Sequence, residues 1–193
     1  MKHERGFTLI ELLVVVSIIA LLTAILLPSL DTARRMAKKV ICSHSLKGIG
    51  LGWQMYQNDY PKQVPEAVGL PMDPPDPADI HIMDVMAGYV SGPNVWECPG
   101  DDQDIFRTLD TSYEYYIGYM LTLVSAGGLP IGKAEIIEMV SEHPDIFAFL
   151  GDAEGFHPTP EDPDGRLWCY FDGHVGFWGD EALKELEDLT DLE

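Results

Sequence analysis

The sequence predicts an α+β fold, with a long N-terminal α-helix, membrane-spanning in its first half, packed on a small antiparallel β-sheet head. Three observations carry this. An apolar run of 21 residues stands near the N-terminus, a helical apolar rhythm continues from it to Tyr60, and short aromatic-rich segments between turn residues fill the second half. A chain of 193 residues holds one membrane element and one globular domain, and 46% hydrophobic residues suffice for a core.

Charge draws the boundary between the two parts. Residues 1–60 carry seven Lys/Arg against four acids, a balance of +3, while residues 61–193 carry 5 basic and 28 acidic side chains, a balance of -23. A head that acidic stays soluble, repels nucleic acid and attracts cations, so no direct nucleic-acid partner is expected.

Residues 1–6, MKHERG, are polar, with Lys2 and Arg5 as cytoplasmic-side charges. Phe7–Leu27 is apolar except for Thr8, Glu11, Ser17 and Thr23. At about 1.5 Å per residue this run makes roughly 31 Å of helix, enough to cross the hydrocarbon core. An ordinary secretory signal places its small-residue cleavage site after a shorter apolar core. Here the small-residue break, Gly6, comes before it. Glu11 is the informative residue, because a carboxylate within a span costs about 2.5–3.5 kcal/mol and needs compensation. It either snorkels to the headgroups or finds a positive partner. A cut after Gly6 would create such a partner, the α-amino group of Phe7 on a staggered neighbour.

The segment GFTLIELLVVVSIIALLTAILLP resembles the class III signal of type IV pilins and type II secretion pseudopilins. That family has Gly before the cut, Phe after it, Glu at the fifth mature position and Pro at the twenty-second; Gly6, Phe7, Glu11 and Pro28 match. The resemblance implies cleavage between Gly6 and Phe7 by a prepilin peptidase, N-methylation of Phe7, a role for Glu11 in subunit register, and a kink at Pro28. The expected organisation is a leader at 1–6, a transmembrane and filament-core helix at 7–27, its amphipathic continuation at 28–60, and an acidic pilin-like head at 61–193.

Beyond Pro28, Leu30, Ala33, Ala37, Val40/Ile41, Ser45, Ile49, Trp53 and Tyr56 recur every three or four residues as an apolar stripe. Arg34, Arg35, Lys38 and Lys39 cluster near the membrane end, facing lipid headgroups, an acidic neighbour, or solvent. Gly48, Gly50 and Gly52 predict a helix that frays or bends before it ends near Pro61.

Residues 61–80 read as a Pro- and acid-rich connector, followed by a short helix around Ile80–Ala87 and by VWECPGDDQD, which ends a strand or a turn at Cys98–Pro99. SYEYYIGYM (112–120) and DIFAFLGDA (145–153) read as strands, with a helix at 133–141 between them. RLWCYF (166–171) and HVGFWG (174–179) flank Asp172-Gly173, a two-residue hairpin signal. DEALKELEDL (180–189) reads as a final helix. Three cysteines, Cys42, Cys98 and Cys169, allow one bridge and one spare thiol; Cys42 with Cys98 is the expected pair, with the connectivity left open by the sequence.

The head resembles, more weakly, a pilin-like family in which a Cys-containing helix precedes a Cys-Pro segment and an Asp-Gly-His-Val tail. ICSHSLKGIGLGWQMYQNDYPKQVP, WECPGD, TSYEYY and FLGDAEGFH…FDGHVGFW carry that likeness. A His usually stands nine residues before the Asp-Gly there, whereas fourteen residues lie between His157 and Asp172 here.

Acids cluster at Asp73/Asp76/Asp79, Asp101/Asp102/Asp104 and Glu161/Asp162/Asp164. Hard oxygen ligands suit Ca²⁺, which makes Asp162 and Asp164 candidates, although Asp162-Pro163-Asp164-Gly165 lacks the rest of an EF-hand loop. His157, His174 and Cys169, with Asp152 or Asp172, are residue types that bind zinc, but no CxxC or HxxxH spacing supports a site. No nucleophile elbow is present, so an enzyme is not expected. The expected function is a structural subunit of a pilus or secretion pseudopilus. Its partners would be the peptidase, an inner-membrane assembly platform, lipid and other pilins. Its precursor would sit in the bacterial inner membrane with the head outside the cytoplasm, before periplasmic or surface assembly. A membrane-anchored binding protein that borrows the signal without polymerising is the alternative.

Overall fold

A computed structural model describes residues 9–69, 79–127, 132–160 and 162–177. The expected leader, the Gly6–Phe7 junction, Asp73, Asp76, Glu161, the end of the 174–179 segment and the helix at 180–189 lie outside the described residues. In chain order the elements are α1 (Leu9–Asp59), α2 (Ile82–Met86), a 3-10 turn (Pro93–Trp96), α3 (Ile105–Leu109), β1 (Tyr113–Tyr115), α4 (Tyr116–Ser125), α5 (Lys133–Glu142), β2 (Ala148–Asp152), β3 (Leu167–Tyr170) and β4 (Val175–Phe177). The chain divides into two compact units, Met1–Ala37 and Lys38–Glu193.

The described part of the first unit is the start of α1, in which every residue is exposed. The helix runs without interruption through Pro28, although proline there removes one donor from the ladder. The polar residues of this stretch turn inward on the helix itself. Ser17 Oγ donates to the Leu13 carbonyl at 2.7 Å and Thr23 Oγ1 to the Ile19 and Ala20 carbonyls at 3.0 Å. Such back-bonding satisfies a hydroxyl without water, as an apolar surrounding requires.

In the second unit α1 buries Cys42, Leu46, Ile49, Gly50, Gly52, Trp53 and Tyr56. Ile49, Trp53 and Tyr56 belong to the expected stripe, but Val40 and Ile41 are 67% and 51% exposed while Cys42 and Leu46 are fully buried. The buried face is set by what covers it: Cys42 is tied to Cys98, and Cys42 and Leu46 take the places expected for Val40/Ile41 and Ser45 on the line that continues through Ile49, Trp53 and Tyr56. The expected fraying is absent as well, since α1 is regular through all three glycines. Gly50 is placed by close approach, because a Cβ there would stand 2.7 Å from Cys169 Sγ.

Among the described residues the sheet is an antiparallel meander in the order β1-β2-β3-β4. The side chains of β3 alternate as period two requires. Leu167 and Cys169 enter the main core, whereas Trp168 and Tyr170 join Ala148 on the other face, where Tyr116 of α4 packs. In the main core Trp53 stacks on Phe149 at 4.5 Å and meets Phe171 edge-on at 5.2 Å, which docks the helix on the sheet. The segment 112–120, expected as one strand, divides instead into β1 and α4. Among the described strands β1 pairs with β2, in the register Tyr113–Asp152 to Tyr115–Leu150, and from Tyr116 the chain leaves the sheet edge to cover its face as a helix. The short helix α3 was not legible in the sequence; the Asp101 carboxylate holds its start, accepting the Gln103, Ile105 and Phe106 N–H groups at 3.1, 3.2 and 2.8 Å.

Candidate functional site

Two features of the molecule have the makings of a functional site. The first is the surface of α1 ahead of Lys38. Leu9, Ile10, Leu12, Leu13, Val14, Ile18, Leu22, Ile25 and Leu26 are all about half exposed or more. By length and composition this helix can cross a membrane, with a mean hydropathy of 2.9 over its most apolar window and none of that window buried. Glu11 stands in its first turn. An uncovered apolar surface of this extent is stable only in lipid or against other apolar helices, at about 1.5–3 kcal/mol for each large side chain buried.

The second feature is a polar cluster inside the head. Cys42 and Cys98 are joined by a disulfide. His157, on the loop after β2, places Nε2 3.2 Å from Cys98 Sγ and 3.8 Å from Asp152 Oδ2. Both side chains are sealed from solvent, at 3% and 0% exposed. Asp152 ends β2, and its Oδ2 accepts the Leu167 N–H at 2.9 Å. Burial drives the Asp152 carboxyl up to about 7, against the Leu167 hydrogen bond and the Arg166 charge. Burial also pushes the His157 imidazole down to about 4, helped by the charges of Lys39 and Lys38. Burial thus disfavours the charged form of both groups. Ser112 continues the network: its Oγ accepts the Cys98 N–H at 3.1 Å and donates to Asp101 Oδ2 at 2.9 Å.

Residues 1–27 match the prokaryotic N-terminal methylation motif. The type IV wide pilus major component PilA4 of Thermus thermophilus is 32% identical over 120 residues, an alignment covering 56% of this chain and 90% of that relative. The chain belongs to the type IV pilin family. No solved structure matches it.

Within this pilin the Asp-Gly-His-Val tail forms the turn between β3 and β4. Gly173 takes a positive φ of 88°, and Asp172 Oδ1 binds both the His174 N–H at 2.9 Å and the His174 ring Nδ1 at 2.7 Å. The His174 ring stacks on Tyr170 at 4.1 Å, and Gln54 Nε2 of α1 donates to the Asp172 carbonyl at 2.8 Å. The motif thus clamps the hairpin to the helix. The candidate zinc residues are therefore divided: His157 sits with Asp152, His174 with Asp172, and Cys169 is a free buried thiol against Gly50.

Of the calcium candidates, Asp164 Oδ1 lies 3.5 Å from Arg166 Nε, and Asp162 Oδ1 accepts the Gly165 N–H at 3.3 Å. Arg166 also reaches Glu114 at 3.3 Å and Glu154 at 3.8 Å, so one cation already serves this acidic group. In the basic segment, Arg35 pairs with Asp31 at 2.9 Å on the exposed helix surface, and Lys39 Nζ lies 3.9 Å above the Phe177 ring. The association of His157 with the disulfide was not legible in the sequence. Its members are drawn from positions 42, 98, 152 and 157, and no local spacing links them.

Proposed function

We propose that this pilin is a structural subunit of a type IV pilus, cut between Gly6 and Phe7, methylated on Phe7, and polymerised through α1. The observation that carries the reading is the wholly exposed apolar start of α1 with the carboxylate of Glu11 in its first turn. Released from the membrane, such a surface has to be covered, and neighbouring copies of the same helix cover it. In that dry interior the new α-amino group of Phe7 pairs with Glu11 of the next subunit and fixes the stagger. The likeness to a pilus major component favours a pilus over a secretion pseudopilus. The precursor is held in the inner membrane with its head outside the cytoplasm, and a prepilin peptidase and an assembly platform act on it there. The acidic head is the face presented on the filament, and catalysis is no part of its role.

Shearing of cells that produce the full chain tests the reading. The processed protein is expected in a sedimenting polymer in the sheared fraction. Protein found only with the membranes, processed and monomeric, would instead identify an anchored module.

A further inference from the structure

Assembly through α1 makes no use of the polar cluster inside the head. We infer that in its dithiol form, before Cys42 and Cys98 are joined, the head binds one zinc-type divalent cation through Cys42 Sγ, Cys98 Sγ and His157 Nε2, with the Asp152 carboxylate completing the set.

Three of the four proposed donors already stand close to what such an ion requires, and the Asp152 carboxylate lies beside them, nearest to His157. The two sulfurs and the His157 nitrogen lie within 4.8 Å of one another, and all three residues are buried. Bonds of about 2.3 Å to sulfur and about 2.0–2.1 Å to nitrogen or oxygen place the ligand atoms of a tetrahedron some 3.3–3.8 Å apart. The observed Nε2–Sγ and Nε2–Oδ2 separations of 3.2 and 3.8 Å are near that range. The Cα atoms of Cys42 and Cys98 are 5.1 Å apart, a spacing from which two thiolates can reach one ion.

A second observation points to the same place. Asp152 is fully buried, and its Oδ1 has no hydrogen-bond partner among the described residues. A buried acceptor left unmatched is costly, and a cation bound beside His157 would satisfy it. Two sulfurs, an imidazole and one carboxylate are a soft-to-borderline donor set that selects zinc or cobalt over calcium.

Disulfide and cation are alternatives for the same sulfurs. Forming the bond removes two protons and passes two electrons to an oxidant, such as a protein disulfide that becomes a dithiol. Cation binding to the dithiol releases the two thiol protons to solvent and moves no electrons. The bound ion would hold Cys42 and Cys98 together in the folded head until oxidation, and keep them from pairing with Cys169.

Cobalt titration of the full chain in detergent, reduced with a phosphine, tests this. The reduced chain is expected to take up one Co²⁺ with thiolate-to-metal absorption and tetrahedral visible bands, displaced by one equivalent of Zn²⁺. The disulfide form should show neither. His157→Gln and Asp152→Asn should each weaken uptake by about 10–100-fold, and Cys169→Ala should leave it unchanged. Near-UV circular dichroism covers the case in which reduction loosens the head, since Zn²⁺ should then restore the native signal. No thiolate absorption in the reduced chain, equal uptake by the disulfide form, native affinity in both the His157 and Asp152 variants, dependence on Cys169, or a reduced head that zinc does not restore would each overturn the proposal.

Discussion

Gly50 of α1 and Cys169 of β3 meet so closely that a Cβ on the glycine would stand 2.7 Å from the thiol sulfur. Cys169 is fully buried, and burial pushes its thiol up to about 12, so it acts as a small apolar group that lets the helix lie down on the sheet. Gly50→Ala is therefore expected to destabilise the head by about 1–3 kcal/mol through overpacking. Gly48, two residues earlier, is exposed, and a Cβ there meets nothing nearer than 3.9 Å. Gly48→Ala should stabilise by about 0.5–1 kcal/mol from helix propensity alone. Urea unfolding of the two variants in detergent compares them, and equal effects would show that the contact does not matter.

The Cys42–Cys98 bridge closes a long loop, the two residues being 56 apart in sequence. On the chain-entropy account, removing it costs about 4 kcal/mol. The double variant Cys42→Ala/Cys98→Ala should accordingly unfold at a clearly lower denaturant concentration with metal excluded. An unchanged midpoint would mean that the packing of α1 against the sheet holds the head without it.

Glu114 of β1 gives the head a dependence on acid. Burial raises its carboxyl to about 7 against the Arg166 charge, with Glu154 and Asp164 adding to the rise. The folded state then holds a proton that the unfolded chain has already lost. That contribution is fully present below about pH 4.5 and is lost as pH rises through about 7. Asp152 titrates in the same direction and His157 in the opposite one, so the native chain records their balance. Unfolding of Glu114→Gln measured from pH 4 to pH 8 isolates the first. The variant should lose less stability than the native chain over that interval, and parallel curves would remove Glu114 as a source.

Two substitutions separate processing from assembly. Gly6→Val should leave the full-length precursor in the membrane, visible by intact mass. Glu11→Ala should be cut normally and be missing from sheared filaments, because on the proposed assembly the stagger would lose its charge pair while the apolar surface remains. Normal filament yield from Glu11→Ala would remove the register role.

Much of the fold was legible because its signals are local. The apolar run, the hairpin at Asp172-Gly173 and the helix at Lys133–Glu142 each depend on neighbours in sequence. The segment 112–120 misled because its aromatic residues suit a half-buried strand and a covering helix equally. Tyr113 and Tyr115 lie in the main core, while Tyr116 packs against Trp168 on the other face. The glycines of α1 misled for the opposite reason: a feature that weakens an isolated helix becomes a contact surface once Cys169 lies against it.

What the sequence determined by itself is the N-terminal logic: a membrane-length apolar helix, a carboxylate in its first turn and a methylation motif that takes in its start, all properties of one continuous segment. Only the tertiary structure decided which face of α1 is inward and which groups join His157. Those choices follow from burial and pairing between residues tens of positions apart. Water is excluded around Cys98, Asp152 and His157 by the whole packed head, and no stretch of sequence carries that information alone.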